Sequence, residues 1–147
     1  GAPFIAAAQA AGIAPIFIAP AQATETTLAG VTQYSEGYIY AISRDGVTGT
    51  ERESSTTGLR DVVDNIAQFG GAPVLLGFGI STPQHVRDAI AAGAAGAITG
   101  SAITAIIEKH CVETDDGPRI SDPSALQLEL EKFITAMVEA TTKDTQK

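Results

Sequence analysis

Apolar and polar positions along this chain alternate between two rhythms. Four short, nearly continuous apolar runs are separated by stretches in which apolar residues recur every three or four positions. The runs are Pro15-Ile16-Phe17-Ile18-Ala19-Pro20, Gly37-Tyr38-Ile39-Tyr40-Ala41-Ile42-Ser43, residues 74–80 and residues 96–100. Continuous apolar character, rather than strict alternation, predicts parallel strands covered on both faces. The spacing between them predicts helices over 24–34, over 58–69, from a Ser81 or Thr82 cap to Gly93, and from Ser101 to about Lys109. An opening helix has Pro3 at its first position, an apolar face of Phe4, Ile5, Ala8 and Ala11, and a stop at Gly12. A final helix starts at an Asp122 cap with Pro123 behind it. Leu126, Leu130, Phe133, Ile134, Met137 and Val138 form its apolar stripe. Residues 44–57 read as a long polar loop, 113–120 as the least ordered stretch, and 141–147 as a polar tail. The order is α-βα-βα-βα-βα-α, an α/β chain with a parallel sheet.

Length changes that picture. A chain of 147 residues is expected to be one domain, yet a closed (β/α)8 barrel takes about 250 residues. Four βα units therefore predict half a barrel. An opening helix with no strand before it suggests that the chain begins inside a larger repeat.

Charge and composition remove whole classes of function. Seventeen acidic against nine basic residues give a net charge of −8, which argues against nucleic acid as a partner, because that needs a clustered basic surface. An anionic ligand must then be held by local N–H groups rather than by the overall field. A single cysteine, Cys111, excludes an internal disulfide and a cysteine-based zinc site, and two histidines argue against a histidine metal cluster. No metal site is expected. No run of 18 apolar residues appears, so no membrane span is expected, and no basic region precedes the apolar start as in a signal peptide. A cytoplasmic protein is the expectation.

The candidate chemistry lies at two glycine-rich strand ends, Gly77-Phe78-Gly79-Ile80-Ser81 and Gly96-Ala97-Ile98-Thr99-Gly100-Ser101-Ala102. Each leads into a predicted helix. Glycine lets an anion approach the backbone, and the unpaired N–H groups of the next helix point at it. Consecutive βα units of this kind hold phosphate in the last part of a (β/α)8 barrel. The same glycines also suit plain strand-end turns, Ser101 suits a plain N-cap, and Tyr40 and Phe78 suit a core. His85 reads as a surface residue, and His110 and Cys111 as helix-end residues without chemistry.

Five segments in order resemble the tryptophan synthase alpha chain family. They are Ala14-Pro15-Ile16-Phe17-Ile18-Ala19-Pro20, Gly37-Tyr38-Ile39-Tyr40, Ser43-Arg44-Asp45-Gly46-Val47-Thr48-Gly49, Gly77-Phe78-Gly79-Ile80-Ser81 and residues 93–103. The resemblance implies the C-terminal half of a TIM barrel over residues 1–147, with parallel strands 5 to 8 and their helices, completed by a missing N-terminal half. It implies a lyase of tryptophan biosynthesis, the retro-aldol cleavage of indole-3-glycerol phosphate to indole and glyceraldehyde 3-phosphate. That reaction needs a base for the glycerol hydroxyl and an acid for the indole ring carbon. The family draws both from a region that this chain lacks, so no catalytic residue is carried over.

Binding residues do carry over. Gly49, Gly79, Gly100 and Ser101 match phosphate-holding positions. Ile18, Tyr40, Phe78 and Ile98 match strand positions around the indole site. Thr48 matches a threonine that positions a catalytic carboxylate, and Arg44 in the same loop is expected to be structural. The resemblance further implies a tryptophan synthase beta chain as partner, which carries pyridoxal phosphate and receives indole, so that this chain itself needs no cofactor. Pro20-Ala21-Gln22-Ala23 departs from the family pattern, an alteration confined to the loop after the first run. Two alternatives remain: another phosphate-binding barrel enzyme, or a non-catalytic half-barrel that binds a phosphorylated ligand or only assembles.

Overall fold

The structure, a computed structural model, describes residues 1–42, 56–77 and 79–142. The elements are α1 (Ala2–Ala10), β1 (Ile18–Ala19), α2 (Glu25–Tyr34), β2 (Ile39–Ile42), α3 (Thr56–Ala67), β3 (Val74–Gly77), α4 (Pro83–Ala91), β4 (Gly96–Ala97), α5 (Ser101–Lys109), β5 (Cys111–Val112), β6 (Arg119–Ile120) and α6 (Pro123–Glu139). The first four strands form one parallel sheet in the order β1-β2-β3-β4, with a helix on every crossover. The predicted α/β order is therefore observed.

Register sorts the strand residues into two rows. Ala19 aligns with Ala41, Ala41 with Leu76, and Leu76 with Ala97. The neighbouring row runs Ile18, Tyr40, Leu75, Gly96. Successive strand side chains point to opposite faces, so the rows line opposite sides. The alanine–leucine row lies under the helices: Ala19, Ala41 and Leu76 are fully buried, together with Ile39. Leu28 and Val31 of α2, Val63 and Ile66 of α3 and Ala89 of α4 complete this core. Small residues in that row let the helices pack close to the sheet. Leu76 lies on this covered side.

Helices α2, α4 and α6 begin where short polar side chains cap them. Thr24 Oγ1 accepts from the Thr27 N–H at 3.3 Å. Thr82 Oγ1 accepts from the His85 N–H at 3.3 Å. Asp122 Oδ1 accepts from the Ser124 and Ala125 N–H groups, both at 3.0 Å. Each cap satisfies a donor that the first turn leaves unpaired.

The strands are shorter than their apolar runs. Prolines at 15 and 20 have no N–H for a ladder and bound the first run, whose regular strand is Ile18–Ala19. Pairing still continues past the regular strands: the Glu36 N–H donates to Pro15 O at 2.8 Å, and Ile98 N–H to Leu76 O at 2.8 Å.

Two stretches differ from expectation in kind. The acidic segment over 113–120 is ordered, because β5 and β6 pair antiparallel around it. Thr114 Oγ1 donates to Gly117 O at 2.6 Å within its turn, and Ser121 ties its base to His110 O through both N–H (2.8 Å) and hydroxyl (3.0 Å). Two-residue strands with exposed sides leave no periodic trace in a sequence. Helix α1 forms as expected, but its apolar face is only partly covered: Ile5 and Ala8 are half-buried and Phe4 is 83% exposed.

Helix α6 lies over α4 and α5 through a second core of Ile80, Val86, Met137 and Ala140, with Phe133 against it. The rest of its stripe is not buried: Ile134 is 48% and Val138 60% exposed. At its other end Glu129 accepts from Lys109 Nζ at 2.7 Å and meets His110 Nε2 at 2.9 Å. These hydrogen bonds, from Lys109 first and then His110, hold the Glu129 carboxyl below its ordinary value. His110, a helix-end residue as expected, is the C-cap of α5 and fastens α5 to α6.

Candidate functional site

The row Ile18, Tyr40, Leu75, Gly96 and its neighbours form a sheet face with little over it. Ile18 is 55% exposed and Ile16 42%; Tyr40 and Ile98 are half-buried. Three predicted indole-site residues, Ile18, Tyr40 and Ile98, therefore share one face, since Ile98 lies two residues beyond Gly96. Glycines make room there for large neighbours. A Cβ on Gly77 would stand 2.5 Å from the Tyr40 ring, and one on Gly96 would stand 2.9 Å from Leu75 Cδ2. The absence of a side chain at Gly77 thus leaves room for the Tyr40 ring, a role its sequence context does not disclose.

Gly79, Gly100 and Ser101 lie just past the carboxyl ends of β3 and β4. Gly79 has φ +77°, a conformation that favours glycine. It is exposed, and a Cβ there would meet nothing within 4 Å. Gly100 is also exposed, and a Cβ there would likewise enter open space. Neither glycine is required by a neighbouring protein atom, in contrast to Gly77.

The two helices that follow these turns start differently. Thr82 caps α4. Gly100 is the N-cap of α5 and supplies no side-chain cap, and Ser101 opens the helix, exposed. The positive end of α5 and its first N–H groups are thus open to an anion. Thr48, Gly49 and Phe78, with Arg44, lie outside the described residues.

Chemically, these groups can bind but carry no acid or base for neutral pH. Ile18, Tyr40, Gly79, Ile98, Gly100 and Ser101 include no carboxylate and no imidazole. Among the described residues no group of three His, Cys, Asp or Glu side chains could hold a metal ion, and no helix is long and apolar enough to cross a membrane. A separate apolar cavity of about 200 Å³ lies beneath α6, lined by Ile80, Val86, Ala97, Phe133 and Met137 among others. It belongs to the covered side of the sheet and holds none of the predicted site residues.

Two residues beside the glycine turns escaped sequence reasoning. Thr99 donates its hydroxyl proton to Ile80 O at 2.7 Å. His85, expected on the surface, is half-buried, and its Nδ1 accepts from the Ser81 N–H at 3.2 Å. Neither residue type is distinctive at its position, so no pattern signals them.

Comparison with known proteins places this geometry. The family model for the tryptophan synthase alpha chain matches residues 1–140. The chain is 73% identical over 144 residues to the tryptophan synthase alpha chain of Corynebacterium efficiens, covering 97% of this chain and 51% of that one. It is 45% identical over 142 residues to that of Vibrio vulnificus, covering 97% and 49%. The chain spans about half the length of the curated relatives it matches. Among solved structures it resembles a mutant tryptophan synthase alpha subunit from Pyrococcus furiosus, with TM-score 0.73 and 22% identity, over 94% of this chain and 50% of that one. It also resembles a chain of the tryptophan synthase a2b2 complex from Pyrococcus furiosus, with TM-score 0.73 and 24% identity, over 93% and 50%. The fold is accordingly half of a (β/α)8 barrel.

Proposed function

The chain belongs to the tryptophan synthase alpha chain family, and on that premise we propose that it supplies the phosphate site and part of the indole site of a lyase that cleaves indole-3-glycerol phosphate. Residues 1–147 act as the C-terminal half of the barrel, strands 5 to 8 with their helices. The phosphate rests on Gly79, Gly100 and Ser101, joined by Gly49. Ile18, Tyr40, Phe78 and Ile98 border the indole ring. One observation carries this reading: Ile18, Tyr40 and Ile98 share the uncovered sheet face, while an uncapped helix start and two unobstructed glycines lie at its carboxyl end.

Cleavage breaks the bond between the indole ring carbon and the glycerol chain. A base removes the glycerol hydroxyl proton as the carbonyl of glyceraldehyde 3-phosphate forms. The electron pair of the broken bond stays on the ring carbon, which an acid protonates. Both proton-transfer groups come from the other half of the barrel, with Thr48 orienting one carboxylate. This half binds and orients: N–H groups take the phosphate, and apolar walls keep water from the ring. It needs no cofactor of its own.

Two partners follow. The four-stranded other half covers the Ile16–Ile18 face and pairs with the outer edges of β1 and β4. The completed alpha chain then docks on a pyridoxal-phosphate beta chain, a pairing supported by the a2b2 complex of the Pyrococcus furiosus relative. A cytoplasmic location suits such an assembly. The test is titration of the completed barrel with glycerol 3-phosphate. Saturable binding that Gly100→Val abolishes is expected, and binding indifferent to Gly100 would remove the proposed site.

A further inference from the structure

The peptide unit between Ile80 and Ser81 is held from both sides. Its carbonyl accepts from the Thr99 hydroxyl at 2.7 Å. Its N–H donates to His85 Nδ1 at 3.2 Å, and the Ser81 hydroxyl lies 3.4 Å from the same nitrogen. Thr99 belongs to the end of β4, immediately before Gly100. His85 belongs to the first turn of α4, where its own N–H is fixed by the Thr82 cap. The Ile80 side chain is buried in the second core, against Val86 and Met137. One amide plane is thus tied to three elements at the point where the chain leaves Gly79.

We propose that Thr99 and His85 are positioning residues that clamp the Ile80–Ser81 peptide and so hold the Gly79 and Gly100 turns at the separation a phosphate needs. The clamp rests on the phosphate reading above and says what keeps that site in shape before ligand arrives. Gly79 adopts φ +77° with no neighbour against its Cβ position, so nothing at the residue itself restrains the turn. Glycine reaches many backbone conformations, and a wandering turn must be ordered at the moment of binding, which lowers affinity without removing a contact. The Thr99 bond crosses from one turn to the other and fixes their spacing. The His85 bond sets the direction of the amide plane. Because Nδ1 accepts, its proton is on Nε2. The Ser81 N–H is engaged toward α4, so it is not among the phosphate donors. The open first turn of α5 supplies them.

The experiment uses the barrel completed by its other half, titrated with glycerol 3-phosphate and separately with indole. Loss of one hydrogen bond predicts that Thr99→Val weakens glycerol 3-phosphate by about 5- to 10-fold while indole affinity stays within about twofold. Thr99→Ser restores the phosphate ligand. His85→Ala weakens it by about 3-fold, and His85→Asn, whose Oδ1 can accept where Nδ1 did, restores it. If Thr99→Val does not fold, the His85 pair alone decides. Unchanged phosphate affinity in Thr99→Val and His85→Ala overturns the clamp, and so does an equal loss for both ligands, which would mean general loosening. Gly100→Val separates the two levels. If it abolishes phosphate binding while the clamp variants bind normally, the clamp alone fails; if it too binds normally, the phosphate site fails and the clamp with it.

Discussion

The two rows of the parallel sheet differ in everything but their strands. Ala19, Ala41 and Leu76 are sealed under helices. One residue away along each strand, Ile18 stands 55% exposed and Tyr40 covers a glycine on an otherwise open surface. The covered row is therefore sealed within this chain, whereas the open row is not. The covered row determines whether the half folds. In the proposed reading, the open row and the strand ends above it bind the ligand and meet the other half of the barrel.

The sharpest way to break this contrast is to truncate both rows. Leu76→Ala should destabilise the chain by about 2–5 kcal/mol, the cost of a core leucine with its cavity, as read by urea unfolding. Ile18→Ser should change that stability by less than about 1 kcal/mol but reduce association of the isolated chain. Burial returns about 25 cal/mol per Å² of apolar surface, and unpaired edges on β1 and β4 add a template for another chain. Light scattering should therefore show the isolated chain associating, and Ile18→Ser associating less. Equal destabilisation by both substitutions, or a homogeneous monomer with cooperative unfolding, would mean that the inner face is not waiting for a partner.

Next in size is the separation of binding from folding at the strand ends. Gly100→Val should leave unfolding nearly unchanged, because its Cβ enters open space, yet weaken glycerol 3-phosphate more than tenfold. Gly77→Ala should do the reverse: it displaces the Tyr40 ring and lowers stability by about 1–3 kcal/mol, with little direct effect on the phosphate ligand. A Gly100→Val chain that unfolds early would recast that glycine as structural.

The smallest effect concerns the α5–α6 clasp. Glu129 has a lowered folded-state pKa, through its bonds from Lys109 and His110. A depressed carboxylate contributes stability that is present above its unfolded pKa of about 4.5 and lost as pH falls through the lower folded value. Glu129→Gln should remove that acid-side dependence and shift the unfolding midpoint only slightly at neutral pH. The pair is exposed, and such pairs contribute little. An unaltered slope of stability against pH below 4.5 would remove Glu129 from this role.

Sequence patterns disclose the parts of this molecule that follow from periodicity and caps. The four parallel strands, the Asp122 cap and the α6 helix are legible, as is the family, and the α4 cap is narrowed to Ser81 or Thr82, of which Thr82 is the one used. What is illegible depends on contacts between distant residues. No local rule tells that Leu76 faces helices while Leu75 does not, because contiguous apolar runs hide which face is which. Gly77 reads like Gly79 and Gly100, yet it alone among the three is crowded by a side chain. The β5–β6 pair rests on backbone bonds and a turn, which leave no hydrophobic trace. His85 and Thr99 matter through one shared peptide, and no sequence window contains both in contact.

Indole release from indole-3-glycerol phosphate tests the division of labour most directly. The assay compares this chain alone with this chain combined with the other half of the barrel, in preparations free of any complete alpha chain. Combination should give turnover, and the chain alone should release no indole above background, because the residues of the proposed site include no carboxylate and no imidazole. Turnover by the chain alone would contradict the account.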